Sequence, residues 1–468
     1  MKLVDLPVEL LRNTQLFLDP RDIICLRKTC KDLASATYER VVWLSALIQA
    51  CAKHGIYKPT FPLEDMSQQD LEEATLAPFR FLSLFGSAGR VGPKRTQILP
   101  VSRHPGNARE DMLARLWLVP GGRFLFTEDF HHTIHLWDLG LSSHTDIKMS
   151  PLASLHGKRA QIKQIRPTDD GLGVLFIAHT GLEQGPRQMQ VYEIYPLSAT
   201  PQFRLLGKLD TTNTDVPGSL LAFTDSLVIF VVHWTITFWN FKDNSSQTWS
   251  LNALFVKELV VIDEKLVLSD GRSLTVRKLP SLDLAHRHSL NFKEAVPILY
   301  TTNTNDYFTI IPPCSWPPND SIPPYITFTD LTLDPRRRTL GLYTSVTSGD
   351  AKDGVLSPPM TLHREISLLP GGDNYYRPFY GPSRVCCDSV IQICAGVGDI
   401  VEGFVIGFAP PMPTTVHSMT TLVSTELFDC ARYEARRGSI AFCPFSGRLC
   451  AVLKHAGSTQ ILIADYLT

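Results

Sequence analysis

Three histidines stand close together at His131, His132 and His135. Their imidazole nitrogens can bind metals or move protons near neutral pH. On a strand, where side chains alternate between faces, His131 and His135 share one face and His132 points away. No acidic or cysteine ligand completes the set, so the run reads as a polar strand edge. Cys386-Cys387 with Cys394, and Cys443 with Cys450, lack the Cys-x2-Cys pairs of zinc sites. They read as buried thiols acting as small hydrophobes, as do Cys25 and Cys30 in the N-terminal region. Gly396-Val397-Gly398 has no third glycine for a dinucleotide turn, and no G-x-S-x-G elbow, H-E-x-x-H helix or P-loop occurs. The sequence therefore assigns no catalytic, cofactor-binding or metal-binding residue and predicts a non-catalytic protein.

Recognition chemistry is better represented. Arg336-Arg337-Arg338 follows Pro335 and reads as a solvated loop whose guanidinium groups suit an acidic or phosphorylated ligand. Trp316 lies in the Pro-rich run 312–324 (PPCSWPPNDSIPP), which predicts an extended loop; an exposed ring there would be a binding anchor, and the other reading packs it onto a blade. Trp316, Arg336, Arg337 and Arg338 are the candidate residues for gripping a protein substrate. Arg436-Arg437-Gly438-Ser439 has the form of a basophilic kinase site.

Composition narrows the partners. The chain of 468 residues carries 45 Lys and Arg against 46 Asp and Glu, a formal charge of −1. It lacks the basic face with which nucleic-acid binders release counterions. With 44% hydrophobic residues, it can bury a large core. The most apolar stretch, residues 227–241, is punctuated by His233, Thr235, Thr237 and Asn240, which excludes a membrane helix. Asp5, Pro7 and Glu9 interrupt the N-terminal apolar residues where a secretory signal would need continuity. Ten cysteines are too sparse for a disulfide scaffold. The expected location is cytoplasmic or nuclear.

The elements that must position these residues change character near residue 86. Of 29 glycines, only Gly55 precedes that point, so a helical region is followed by strands and turns. Leu6-Pro7 opens a short first helix. Asp19, Pro20 and Asp22 supply start signals for a second helix over 20–33, and a third is expected over 38–51. Ser67 with Asp70 predicts a capping pair for a helix through Ala77, with Pro78 starting another through Phe85. Residues 86–93 (GSAGRVGP) read as a linker.

Beyond residue 95, apolar runs and turn residues alternate. Pro120-Gly121-Gly122 joins two runs, and Ser269-Asp270-Gly271-Arg272 joins another two. Comparable strands recur at intervals of roughly 40 to 55 residues, close to the ~40–50 of a four-stranded propeller blade. The segments Ile134-His135-Leu136-Trp137-Asp138 and Thr237-Phe238-Trp239-Asn240 resemble the Trp-Asp ending of WD repeats, without the Gly-His half. The expected fold is multidomain: a small all-α head followed by an all-β domain, a β-propeller of about seven blades. Its parts are a head at 1–50, a helical extension at 51–85, a linker at 86–94 and the propeller at 95–468.

Within the head, Leu6-Pro7, Glu9-Leu10-Leu11, Leu18-Asp19-Pro20-Arg21-Asp22, Leu26-Arg27, Thr29-Cys30-Lys31 and Trp43 follow one another in a fixed order. This order resembles the F-box over residues 3–47, and the extension resembles that of fungal F-box proteins. The chain departs from the pattern at Thr14-Gln15, where the family carries a large apolar pair that packs on its adaptor. The resemblance implies a substrate-recognition subunit of a cullin-type (SCF) ubiquitin ligase. A Skp-type adaptor would bind Leu6, Pro7, Leu10, Leu11, Leu18, Pro20, Leu26 and Trp43, and the propeller would hold an unidentified protein substrate. The alternative is a non-ligase scaffold in which the propeller organises a complex. Independently of the resemblance, about 45 residues in three helices make a small core, which a partner would complete.

Overall fold

The computed structural model describes residues 6–85, 91–100, 115–129, 133–141, 147–156, 160–180, 187–211, 220–251, 255–262, 265–270, 273–279, 298–303, 308–311, 326–330, 333–334, 337–345, 361–367, 383–386, 389–395, 400–407, 422–429, 436–455 and 458–467. Five α-helices come first: α1 Val8–Gln15, α2 Pro20–Arg27, α3 Lys31–Thr37, α4 Arg40–Lys53 and α5 Gln68–Leu84. Asp19 caps α2 by accepting from the Arg21 amide at 3.0 Å, with Pro20 at its first position. Ser67 and Asp70 form a reciprocal capping box on α5, satisfying amides that have no partner within the helix.

Two helix boundaries differ from the sequence expectation. The helix expected over 20–33 divides at Lys28–Cys30, because Lys28 and Thr29 close a turn on Cys25 and Leu26 and Cys30 is extended. The break lets Leu33 and Ala36 of α3 turn onto Leu11 of α1. The expected break at Pro78 is absent. Leu71, Thr75, Pro78 and Phe81 form one buried stripe along α5, and their burial offsets the backbone hydrogen bond that proline cannot make.

Seven antiparallel sheets follow among the described residues, most in simple meander order, forming a β-propeller. Blade 1 comprises Arg115–Leu118, Phe124–Glu128, Ile134–Asp138 and Ala153–Leu155; blade 2 comprises Gln161–Pro167, Val174–Thr180, Gln188–Ile194 and Arg204–Asp210. Blade 3 comprises Leu221–Phe223, Leu227–Val232, Thr235–Asn240 and Ser245–Ser250; blade 4 comprises Glu258–Ile262, Lys265–Ser269, Ser273–Lys278 and Ile298–Asn303. Blade 5 contains Phe308–Ile311, Ile326–Asp330, Arg337–Ser345 and Thr361–Ser367, with Leu333–Asp334 as a short fifth strand. Blade 6 contains Ser383–Cys386, Ser389–Ala395, Ile400–Gly407 and Leu422–Asp429.

Blade 7 closes the ring. Its three C-terminal strands, Arg436–Cys443, Arg448–His455 and Ser458–Asp465, are completed by Arg95–Pro100, which pairs antiparallel with the last of them from Arg95↔Asp465 to Pro100↔Gln460. Strands distant in sequence thus share one sheet, which ties the start of the propeller to its end. Arg448 reinforces this seam. Its Nε lies 2.6 Å from Asp465 Oδ1 and its Nη2 3.1 Å from Oδ2, while Nη1 donates to the carbonyls of Gly122 at 2.8 Å and Gly140 at 3.0 Å in blade 1.

Candidate functional site

The segment between α4 and α5 ties the helices to the propeller. The Tyr57 amide donates to Pro120 O at 3.1 Å, and its hydroxyl donates to Leu172 O at 2.6 Å. Arg123, in a bidentate ion pair with Asp138, donates to Pro59 O at 3.1 Å. Gly121 has φ +108, and an added Cβ there would lie 2.3 Å from Thr60 Oγ1. A glycine in this turn therefore permits both the left-handed backbone and the close approach. Farther along, Phe81 packs on Phe442 and Tyr466, with ring centroids 5.2 and 6.0 Å away. The helices thus sit on the turns between the first and second strands of blades 7, 1 and 2.

Arg27 joins α2 to α3 and α5. Its Nη1 and Nη2 each lie 2.8 Å from a Glu72 carboxylate oxygen, its Nε donates to Thr37 Oγ1 at 2.9 Å, and its guanidinium lies over the Tyr38 ring at 4.3 Å. The hydrogen bond to Glu72 raises the Arg27 pKa, against the opposing effect of burial. This pair is largely shielded from water, so its bidentate geometry also fixes helix orientation.

The head separates the predicted adaptor residues into two groups. Trp43 is fully buried and donates from Nε1 to Thr37 O at 2.8 Å. Leu11 is buried with Leu33 and Ala36, and Leu6 and Leu26 pack partly against them. Leu18 packs partly against the larger core that contains Trp43. Trp43 and Leu11 therefore hold the head together and present no surface to a partner, because α1 and α4 turn them inward. Pro7 is exposed, Pro20 is half-buried, and Leu10 keeps 48% of its surface in water.

Side chains absent from the sequence-based set add to that surface. Phe17 is 86% exposed, and Val41 and Ile48 on α4 each leave about half of their surface in water. An Arg12–Glu39 ion pair at 2.8 Å and a 2.7 Å bond from Gln49 Nε2 to Leu16 O hold α1 and the turn after it against α4. The overlooked signal was the exposed side of α4, where Val41, Ser45 and Ile48 recur at helical spacing outside the F-box pattern.

At the departure from the pattern, Thr14 is exposed and donates its hydroxyl to Leu10 O at 2.9 Å. Gln15 is only 1% exposed, and neither amide atom has a hydrogen-bond partner. An unsatisfied buried polar group costs about 1–3 kcal/mol. Gln15→Leu is therefore expected to stabilise the head by about that amount, read as a higher urea midpoint by helical circular dichroism. An unchanged or lower midpoint would show that the amide is not an energetic burden.

Cys25 and Cys30 correct the expectation of buried thiols: both are exposed, on short α2 and at the start of α3, because Ile23 and Leu33 occupy the inward positions. Cys443 and Cys450 are buried, and desolvation pushes the Cys450 thiol up to about 12, far from a reactive thiolate. His135 bonds Ser154 Oγ through Nδ1 at 2.8 Å and has Asp129 Oδ2 3.5 Å from Nε2, so an acidic neighbour does lie beside it. His131 and His132 lie outside the described residues. Among the described residues, no group of three or more His, Cys, Asp or Glu side chains gathers to hold a metal ion. No described helix is long and apolar enough to cross a membrane.

The candidate substrate residues are only partly described. Trp316 and Arg336 lie outside the described residues. Arg337 and Arg338 begin a strand and pair with Asp334 and Leu333, correcting the expected loop. Of the cysteine run, Cys386 ends one strand and Cys394 lies in the next, while Cys387 falls outside the described residues. Ser439 of the kinase-like run lies in a strand and accepts a hydrogen bond from the Leu116 amide at 3.2 Å.

No protein-family model matches the chain, and no curated protein matches it. Among solved structures, it is similar to the Cps50 (Swd1) β-propeller domain of Myceliophteria thermophila, with 10% identity and a TM-score of 0.45 over 78% of this chain and 99% of that one. It is also similar to a chain of a mitotic checkpoint complex structure, with 10% identity and a TM-score of 0.41 over 81% of this chain and 97% of the other.

Proposed function

We propose that the chain is a non-catalytic substrate-recognition subunit of a cullin-type ubiquitin ligase. The helical head binds a Skp-type adaptor, and the propeller presents a protein substrate. Its carrying observation is the exposed apolar surface of Pro7, Leu10, Phe17, Val41 and Ile48, which remains on the head after the helices have docked on the propeller. A small helical unit keeps such side chains in water at a free-energy cost that a partner recovers. Transfer of ubiquitin would take place on a conjugating enzyme held near the substrate, so this chain would contribute proximity and orientation.

Replacing Pro7 and Leu10 together with alanine is expected to weaken capture of purified adaptor by ~30-fold, if together they contribute ~2 kcal/mol. The measurement is equilibrium binding with the full-length chain, accompanied by an unfolding curve for the variant. Unchanged capture by a folded double variant refutes the assignment. The scaffold alternative has one observation in its favour: Thr14 and buried Gln15 replace the apolar pair of the F-box pattern. Co-purification separates the two readings, since recovery of both adaptor and cullin supports the ligase and adaptor without cullin supports the scaffold.

A further inference from the structure

We propose that Ser439 is a phosphorylation site for an arginine-directed protein kinase, and that its phosphate opens one end of the seam between blades 7 and 1. This inference is independent of the adaptor reading. Arg436 and Arg437 stand just before Gly438 and Ser439. In that position a kinase with acidic side chains beside its active site can pair both guanidinium groups as it takes the serine.

The sheet holds this serine loosely. In the ladder with Arg448–His455, Arg437 faces Leu453 and Ile440 faces Ala451. Gly438 and Ser439 therefore stand together opposite Val452, in a bulge that leaves them out of the regular pairing. Ser439 is half-buried, so part of it already meets water. Drawing this segment out as an extended substrate breaks fewer ladder bonds than it would in an unbroken strand. The helices dock at the turn that follows Cys443, where Phe61 packs on Phe445. Ser439 lies in the other half of its strand, away from that turn.

The hydroxyl has a structural task. Arg115–Leu118 and Arg436–Cys443 are edge strands of adjacent sheets, and the Ser439 hydroxyl bridges them by accepting from the Leu116 amide at 3.2 Å. Leu116 is only 6% exposed, so its amide depends on a protein acceptor. At the end nearer the helices, Arg448 joins Asp465 to the carbonyls of Gly122 and Gly140. The seam thus has an ionic latch at one end and a neutral one at the other.

Phosphorylation removes the neutral latch. The γ-phosphoryl group of ATP passes to Ser439 Oγ: the new O–P bond forms as the bond to ADP breaks, and the hydroxyl proton passes to the kinase's base. The product carries about −1.5 to −2 charges at neutral pH. Such a group loses hydration between two packed strands, so it turns toward solvent and draws Oγ away from the Leu116 amide. Arg115, exposed and next to Leu116, supplies a counter-charge. Arg448 still holds its own end, which confines the opening to the end remote from the helices.

The test incubates the folded full-length chain with ATP and an arginine-directed protein kinase, and maps phosphate by mass spectrometry. Wild type is expected to take up one phosphate at Ser439. Ser439→Ala should lose it, and a variant carrying Arg436→Gln and Arg437→Gln should take it up ~10-fold more slowly. Hydrogen exchange at the Leu116 amide should quicken by ~10-fold in the phosphorylated protein. No phosphate at Ser439 of the folded wild type, or phosphate there only in urea, overturns the site. Phosphate at Ser439 with unchanged Leu116 exchange overturns the opening of the seam. Unfolding curves accompany both variants, and the wild-type result decides the site without them.

Discussion

An Asp465→Ala substitution is expected to cost the propeller about 3–5 kcal/mol, because it leaves the Arg448 guanidinium buried without its counter-ion. Both side chains are almost entirely inaccessible, and Arg448 simultaneously serves two carbonyls of blade 1. Asp465 also stands opposite Arg95, the first residue of the strand that completes blade 7. The damage should therefore fall on ring closure, read as a lower urea midpoint by tryptophan fluorescence. Asp465→Asn should lose less, since an amide oxygen can still accept one bond from Arg448. Replacing both partners with apolar residues should recover much of the loss, because desolvation of the ions is then removed as well. A midpoint equal to wild type in Asp465→Ala would refute the role given to this pair.

Phe81→Ala is expected to destabilise the propeller by about 3–5 kcal/mol, the range for removal of a buried aromatic side chain. Phe81 is helical in sequence but belongs to a β-domain core, where it meets Phe442, Leu449 and Tyr466 of blade 7 and Phe85 of its own helix. The variant should lower the propeller transition while the exposed side chains of Leu10 and Phe17, carried on other elements, keep their exposure. Limited proteolysis should correspondingly expose sites in blade 7 before sites in α1–α4. A Phe81→Ala protein whose propeller melts like the wild type would show that α5 is a passive attachment.

Much of the local architecture was legible from residue type and spacing. Asp19-Pro20 marked the start of α2, and Ser67 with Asp70 marked the start of α5, because capping depends on residues only a few positions apart. The central strands of blade 3, Leu227–Val232 and Thr235–Asn240, were legible as apolar runs around a polar turn. Its last strand, Ser245–Ser250, was not. That sequence is SSQTWS, and it becomes a strand because Thr235–Asn240 offers it a full ladder of backbone partners. The outer strand of blade 2, Arg204–Asp210, escaped notice for the same reason.

The candidate site was legible as a motif but not as a surface. Helical spacing alone does not say that Leu11 and Trp43 turn inward, that Gln15 follows them, or that Phe17 remains outside. Those outcomes depend on where α3, α4 and α5 lie, and hence on contacts between residues far apart in the chain.

By itself, the sequence determined a helical head, a repeated antiparallel β-domain and the positions of their strongest caps and turns, since these are short-range consequences of side-chain shape, charge and backbone freedom. The tertiary structure decided the continuity of α5 through Pro78, the closure of blade 7 by Arg95–Pro100 and the exposure of Phe17. Burial depends on which distant surfaces meet, and the local spacing of residues leaves that choice open.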